Sequence, residues 1–208
     1  MSAPRARSAP WVLLALATPL GAAPSAPSAP SAASAASAPS DPLDTLLAGL
    51  AQRHHGHVSF TEVRYLAVLE RPLESSGELL YDAPDRLEKR TLRPRPETLV
   101  LAHGTLSATR GEHTRTLALA AAPQLAPLLE SLRATLAGDR SALESVFSVR
   151  LDTDPPHWTL HLTPRDPAAA RLVSEVAISG ERSDLKTVEI LEADGDHSLL
   201  TIGRELSP

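Results

Sequence analysis

The sequence predicts a mainly β fold with a few helices (α+β), built on an antiparallel sheet of about 11 strands. Short β-rich segments follow one another through most of residues 57–202. Their connections are short and contain Gly, Pro and Asp, which is typical of hairpins rather than of parallel βαβ units. Two other segments repeat leucine at helical spacing, one before the strands and one between them.

The first predicted helix opens the folded part of the chain. Asp41 is a favourable N-cap and Pro42 suits the first helical position. Four leucines then recur at i, i+3, i+4 and i+7, which places them on one face of a helix. They are Leu43, Leu46, Leu47 and Leu50. We expect this helix to end near residues 53–55, where Gly56 can stop it.

The strands follow in the order of the chain. They are predicted at 57–69, 75–81, 86–92, 97–102, 105–110, 113–119, 146–151, 157–163, 172–179, 184–192 and 197–202. Tight hairpin turns are expected at His103-Gly104, Gly111-Glu112 and Asp194-Gly195. Between the sixth and seventh strands, residues 123–138 predict an inserted helix, followed by a helical turn or two over 139–144. Its leucines are Leu125, Leu128, Leu129, Leu132 and Leu136.

The segments before residue 41 are expected to lie outside the fold. Arg5 and Arg7, the apolar run 11–20 and the small residues 21–23 follow the order of a cleaved signal peptide, so we assign 1–23 to export. A transmembrane anchor is the alternative, but about 10 apolar residues fall short of the roughly 20 that span a bilayer. Residues 24–40 are a low-complexity Ala/Ser/Pro spacer, expected to be disordered. Residues 41–208 then form one domain.

Composition narrows the function. The chain has no cysteine, so it offers no thiol nucleophile, no Cys-ligated metal and no lipobox cysteine. We therefore expect a soluble periplasmic protein rather than a lipid-anchored one. The formal charge of −5 argues against a nucleic-acid partner, which requires a basic face. Aromatic side chains make up only 3% of the chain, so leucine and valine dominate the apolar positions. Such a sheet is either an ordinary core or an apolar surface left partly unfilled for an aliphatic guest.

Five short motifs follow one another through the folded part. They are 57–62 (HVSFTE), 76–81 (SGELLY), Pro84 with Leu87, 99–109 (LVLAHGTLSAT) and 158–164 (WTLHLTP). With the export signal and the N-terminal helix, this order resembles the periplasmic outer-membrane lipoprotein carriers, LolA and its relatives. The corresponding motifs of that family are Phe-Thr-Gln on the first strand, Gly-x-Leu on the second, Pro and an aromatic around strand three, an Asp-Gly hairpin, and Leu-x-Pro.

The resemblance implies an incomplete antiparallel β-barrel, LolA/LolB-like, with an apolar cavity under a helical lid. It implies that the cavity is lined by Val58, Phe60, Leu66, Leu79, Tyr81, Leu87, Leu99, Leu101, Leu117 and Leu119. The lid leucines would be Leu125, Leu128, Leu129 and Leu132. Two positions differ from the best-known carriers. Ala83 stands where they have an arginine that helps to hold the lid, and residues 104–107 lack their aromatic.

The function implied is a carrier that shields the acyl chains of a lipoprotein or another lipid and shuttles it towards the outer membrane. Its expected partners are the acylated cargo, an inner-membrane transporter and an outer-membrane acceptor, and we expect a monomer without a cofactor. The two departures favour an alternative, a lipid-binding accessory protein of an exporter for a non-lipoprotein lipid or lipid-linked pigment. A periplasmic hydrolase is a further alternative. Because the chain contains no G-x-S-x-G motif, we expect no enzyme.

Three polar clusters have both a structural and a functional interpretation. His54, His55 and His57 are expected at a solvated helix end, without a metal. Asp194-Gly195-Asp196 lacks the carboxylates of a calcium loop and is interpreted as a hairpin. The dense basic run is either a solvated strand face or a rim that docks a headgroup or a partner. It consists of Arg86, Lys89, Arg90, Arg93 and Arg95.

Overall fold

The computed structural model describes residues 41–121 and 126–206, and of residues 126–128 only the backbone. The predicted signal peptide, the predicted spacer and Leu125 lie outside the described residues, as does the side chain of Leu128. Within the described residues, no helix has the length and apolar character needed to cross a bilayer.

Eleven strands and four helices make up the described chain. The helices are α1 (Pro42–Leu50), α2 (Ala126–Ala137), α3 (Arg140–Val146) and α4 (Pro167–Ala170), with a 3-10 turn at Leu119–Ala121. The first six strands are β1 (His55–Tyr65), β2 (Leu73–Asp82), β3 (Arg86–Arg93), β4 (Glu97–Ala102), β5 (Thr105–Arg110) and β6 (His113–Ala118). The remaining five are β7 (Phe147–Asp154), β8 (His157–Pro164), β9 (Val173–Glu181), β10 (Asp184–Glu192) and β11 (His197–Glu205).

All eleven strands belong to one open antiparallel sheet, which confirms the predicted fold class. The strand order is β6-β5-β4-β3-β2-β1-β11-β10-β9-β8-β7, so the first and last strands pair at the centre. All the other neighbouring strands are consecutive in the chain, with α4 in the connection between β8 and β9. The consecutive strands β6 and β7, which α2 and α3 separate, form the two edges of the sheet. The sheet does not close into a barrel.

The end of the first helix was predicted wrongly. Asp41 caps α1 through a hydrogen bond that its Oδ1 accepts from the Leu43 amide at 2.9 Å, but α1 ends at Leu50. His55 and Gly56 are already in β1, where they pair with Asp82 and Tyr81 of β2. The ladder to β2 satisfies these backbone groups, so Gly56 extends a strand instead of ending a helix.

Charged side chains tie α1 to α3. Arg140 donates to Asp41 Oδ2 at 2.6 Å, to Asp44 Oδ1 at 2.9 Å and to Glu144 Oε1 at 2.8 Å. The hydrogen bond from Arg140 holds the pKa of Asp41 below its usual value, and the bond from the Leu43 amide acts in the same direction. The three carboxylates together raise the pKa of Arg140. These bonds hold the N-terminal ends of α1 and α3 together.

Gly138 fixes the end of α2 on α1. Its φ of 68° is the left-handed conformation that commonly ends a helix. The Asp139 amide donates to the Ala134 carbonyl at 2.8 Å and the Gly138 amide to Thr135 at 3.2 Å, which is the Schellman pattern. A Cβ at Gly138 would lie 2.7 Å from the Leu47 carbonyl oxygen, so the two helices approach too closely for any larger residue.

The packed core occupies one half of the sheet. We call the face of the sheet that α1, α2 and α3 cover the inward face. Over β7–β9 it presents large side chains that the helices bury completely. The core cluster comprises Leu43, Leu47, Leu50, Ala134, Leu143, Phe147, Trp158, Leu160, Leu162, Val176 and Ile178. This half is the ordinary core that the leucine-rich composition allowed.

Trp158 shows how closely this half is packed. Its indole Nε1 donates to the Arg182 carbonyl at 2.8 Å, so the one polar atom of the ring is satisfied. A Cβ on Gly180 would lie 2.3 Å from the indole Cζ2, so the ring uses the space that the glycine leaves open. Because there is no free space at this site, substitutions here act on packing directly.

We predict that Leu160→Ala lowers the free energy of unfolding by about 2–5 kcal/mol, because Leu160 is fully buried (0% exposed) among these side chains. The matched control Leu199→Ala, at a position that is 37% exposed on β11, should cost less than about 1 kcal/mol. Urea unfolding curves measure both. Equal costs would contradict the placement of the core.

Candidate functional site

The strands of the other half present leucine to the same face. Strand pairing aligns Tyr81, Leu87, Leu101 and Leu106 across β2–β5 in one row, and Val58, Leu79, Lys89 and Leu99 across β1–β4 in the next. Side chains in register on one face of a sheet are near neighbours. The two rows therefore form a continuous surface that is apolar except at Lys89.

A cavity lies between this surface and the helices. Its volume is about 330 Å³. Its apolar lining consists of Leu50, Val58, Leu79, Leu80, Tyr81, Leu87, Leu99, Leu101, Leu106, Leu129, Leu132, Leu136, Val176, Ile178, Leu185, Val188, Ile190, Leu200 and Ile202. The remaining lining residues are Arg53, Gly56, Glu62, Glu88, Lys89, Ser131 and Ser198. The interior is thus solid under one half of the sheet and hollow towards the other.

Helix α2 forms the roof of the cavity. Leu129, Leu132 and Leu136 recur at i, i+3 and i+7, which puts them on one side of α2, and all three line the cavity. The two charged side chains of α2, Glu130 and Arg133, bind each other, with Arg133 Nε 2.9 Å from Glu130 Oε2. No ion pair joins α2 to the sheet among the described residues.

Most of the residues expected at the cavity line it. Those that do are Val58, Leu79, Tyr81, Leu87, Leu99, Leu101, Leu129 and Leu132. Phe60 is buried beside the cavity, with the Lys89 ammonium 5.0 Å from its ring centre. The other three expected lining residues that the structure describes lie elsewhere. Leu66 follows the end of β1, Leu119 is in the 3-10 turn, and Leu117 is 38% exposed on the edge strand β6.

Sequence reasoning missed the contribution of the late strands. Val176, Ile178, Val188, Ile190 and Leu200 line the cavity from β9, β10 and β11. Their alternation along each strand was visible, since positions 176 and 178, and 188 and 190, point to the same face. What the alternation did not show is that the pairing of β1 with β11 places these strands beside the first half of the sheet.

Tyr81 lies where β2 meets the helices. The residue is 6% exposed, and burial raises the pKa of its phenol, while the nearby Arg133 guanidinium acts against that rise. Hydrogen bonding to Glu130 raises the pKa of Arg133. The phenol therefore stays neutral at the apolar wall, and Arg133 stays charged beside it.

Two further lining residues form an ion pair that the sequence did not single out. Lys89 Nζ lies 2.6 Å from Glu62 Oε2, and that oxygen also accepts a hydrogen bond from Ser75 Oγ at 2.9 Å. Both charged side chains are mostly buried, Glu62 at 14% and Lys89 at 24% exposure. Among the described residues, no buried side-chain polar atom lacks a hydrogen-bond partner.

The basic run divides between the two faces of the sheet. Arg90 donates to the buried Glu88 through Nε at 2.5 Å and Arg86 donates to the other oxygen at 2.7 Å, so these two arginines enclose one carboxylate. Lys89 points to the inward face. Arg93 and Arg95 make no ion pair with another described residue. The solvated-face interpretation thus holds for part of the run only.

The histidines pair with carboxylates of the neighbouring strand. His55 Nδ1 lies 2.9 Å from Asp82 Oδ1, and His57 Nε2 lies 3.1 Å from Glu78 Oε2. These residues begin β1, whereas the sequence placed His54 and His55 at a helix end. On β8, His161 Nδ1 lies 2.7 Å from Glu175 Oε1, opposite the buried Trp158, Leu160 and Leu162.

Asp194 and Asp196 lie in the expected hairpin between β10 and β11, and Gly195 has a φ of 96°. Register brings Glu192 to them, so that three carboxylate oxygens lie within 4.8 Å of one another. The Asp196 carboxylate accepts the Ala67 amide at 2.7 Å, and Asp194 accepts the Asp196 amide at 3.1 Å. These bonds give the carboxylates a structural role at the turn.

The family model described as "Outer membrane lipoprotein carrier protein LolA-like" matches residues 32–203, which is most of the chain. Among curated proteins, none matches the sequence.

Solved structures with a similar fold come from several bacteria. A LolA superfamily protein from Nitrosomonas europaea is 11% identical with a TM-score of 0.42, covering 79% of this chain and 92% of that one. A putative outer membrane lipoprotein-sorting protein domain from Vibrio parahaemolyticus is 6% identical with a TM-score of 0.45, covering 79% and 90%. MucB in the Pseudomonas aeruginosa MucA/MucB complex is 17% identical with a TM-score of 0.42, and the match covers 79% of this chain and 55% of that one.

We predict that the hollow half tolerates a larger side chain and the solid half does not. Leu99→Trp, at the cavity wall, should change the free energy of unfolding by less than about 1 kcal/mol, because the ring enters open space. Leu162→Trp, at a fully buried position, should cost about 3 kcal/mol or more. The urea midpoints of the two variants are compared. A cost for Leu99→Trp that matches the cost for Leu162→Trp would show that the cavity is filled in solution.

Proposed function

The chain belongs to the LolA-like outer membrane lipoprotein carrier family, and from that premise we propose that it is a periplasmic carrier of acylated cargo. The cavity of about 330 Å³ is the observation that carries the proposal. Of its 26 lining residues, 18 are leucine, isoleucine or valine, so it offers dispersion contacts and a largely dry environment to an alkyl chain.

The size of the cavity suits one acyl chain. It lies near the lower end of the roughly 300–1,000 Å³ range of ligand pockets. It is about twice the ~150 Å³ of an engineered apolar cavity that stays dry and binds benzene. Each buried CH₂ contributes about 0.8 kcal/mol, so a chain of about 14 carbons gains on the order of 10 kcal/mol on leaving water. Cargo with more chains requires α2 to move away from the sheet.

The roof is suited to such movement. Leu129, Leu132 and Leu136 present an apolar surface to the cavity, and an acyl chain offers that surface apolar contacts. Loading then exchanges one apolar surface for another, and it needs differential affinity between partners rather than chemistry. We propose that an inner-membrane transporter loads the carrier, that an outer-membrane acceptor unloads it, and that the carrier works as a monomer without enzymatic activity.

A second cargo class is favoured by one observation. Ala83, which stands where the resemblance places an arginine, donates its amide to the His54 carbonyl at 2.8 Å and offers no charge to α2. The roof therefore lacks that latch. A non-lipoprotein lipid handled for an exporter is the alternative cargo. Lipid mass spectrometry of protein purified from its host distinguishes a bound lipid from an acylated protein.

We predict that Leu132→Glu abolishes binding of a fluorescent fatty-acyl probe, with at least about a tenfold loss of affinity. The carboxylate would enter the apolar cavity, where it either loses hydration or brings in water that the chain must displace. Fluorescence titration measures the affinity, and circular dichroism checks that the fold persists.

The matched control is Leu199→Glu, the same change at a partly exposed position on β11 that does not line the cavity. This variant should bind the probe as the parent does. Normal binding by Leu132→Glu, or an equal loss in both variants, would contradict a site beneath α2.

A further inference from the structure

The ion pair between Glu62 and Lys89 is unusual for its position. Both residues line the cavity, and Lys89 is in register between Leu79 on β2 and Leu99 on β4. Two charges on an otherwise apolar face cost desolvation energy that a hydrophobic pair would avoid. The backbone hydrogen bonds that pair β1, β2 and β3 do not depend on these two side chains. The ion pair therefore has a role other than holding the strands together.

Polarity changes along the inward face at this point. Towards α2, the row of Tyr81, Leu87 and Leu101 is apolar. Away from it, the row after Lys89 contains Thr91 and Glu97, which pair in register. Glu97 accepts a hydrogen bond from Arg110 at 2.9 Å. The inward face of β1–β5 is thus amphipathic along the strands, with Lys89 at the boundary between the two zones.

The local geometry favours an anion at Lys89. Glu62 Oε2 already accepts hydrogen bonds from both Lys89 and Ser75. The Lys89 ammonium has three donors, of which Glu62 takes one, and it also lies 5.0 Å from the ring centre of Phe60. Lys89 is also the more exposed partner of the two.

We propose that the cargo is a phospholipid, the non-lipoprotein alternative above, and that Lys89 binds its phosphate at the polar edge of the cavity, with Glu62, itself held by Ser75, positioning the ammonium. This inference rests on the proposed function, because it assigns the orientation of a lipid bound in the cavity. The acyl chain lies towards Leu87, Leu101 and the roof helix α2. The headgroup lies towards Thr91, beyond the apolar rows of the inward face.

The test uses the full chain and three probes with the same alkyl chain: decyl phosphate, decanol and decyltrimethylammonium. Calorimetric titration below the micellar concentration should show decyl phosphate binding about tenfold or more tightly than decanol, and decyltrimethylammonium binding more weakly than either. Inorganic phosphate alone should not displace decyl phosphate, because it lacks the chain. Displacement would identify a free-phosphate site and overturn the proposal.

Substitutions test whether Lys89 is the source of the preference for decyl phosphate. Lys89→Met keeps the length of the side chain and removes its charge, so it should weaken decyl phosphate binding by about tenfold and change decanol binding by less than about twofold. The double variant Glu62→Gln/Lys89→Met should behave in the same way, and it leaves no unpaired buried charge if the single variant fails to fold. Lys186→Met, at the other lysine of the chain and exposed on β10, is the matched control and should bind as the parent does.

Two results would overturn the inference alone. One is an equal loss for decyl phosphate and decanol in the Lys89 variants, which would indicate a purely structural pair. The other is a parent protein that binds decanol without a preference for decyl phosphate. If the parent protein binds none of the three probes, the proposed carrier function fails as well, so the two failures are distinguishable.

Discussion

An apolar face that extends across most of the eleven-stranded sheet must be kept from water, and three short helices have to cover it. The helices pack down on β7–β9, where Phe147 and Trp158 fill the space beneath them. Towards β2–β5 the face is built mainly from leucine, and a cavity remains between it and α2. The hollow follows from this mismatch between the width of the sheet and the volume of the side chains available to fill it.

The packed half and the hollow half therefore have different tasks. The first fixes α1, α2 and α3 through buried side chains and through the bonds from Arg140 to Asp41 and Asp44. This anchoring keeps the helices in place while the space beside them stays open. One part of the sheet therefore stabilises the fold and another part leaves room for a ligand. The pairing of β1 with β11 joins the two parts in one continuous sheet.

Much of the fold follows from local patterns in the sequence. Residues 97–102, 105–110 and 184–192 were predicted as strands with the bounds that the structure has, because tight turns such as His103-Gly104 delimit them; both turn residues have positive φ. The helix end at Leu50 was missed because strand pairing with Asp82, a long-range interaction, decides it. For the same reason, Glu62 and Lys89 looked like members of unrelated strands. Only the register of β1, β2 and β3 places them 2.6 Å apart.

Gly138 has a mechanical consequence. Because the backbone there lies against Leu47 and continues directly into the cap of α3, the C-terminal end of α2 is a fixed pivot. A 12-residue helix is about 18 Å long at roughly 1.5 Å per residue, so it acts as a lever. A rotation of about ten degrees shifts its far end by about 3 Å and its middle by half as much. Any widening of the space below is therefore wedge-shaped, greatest near Ala126 and smallest near Leu136.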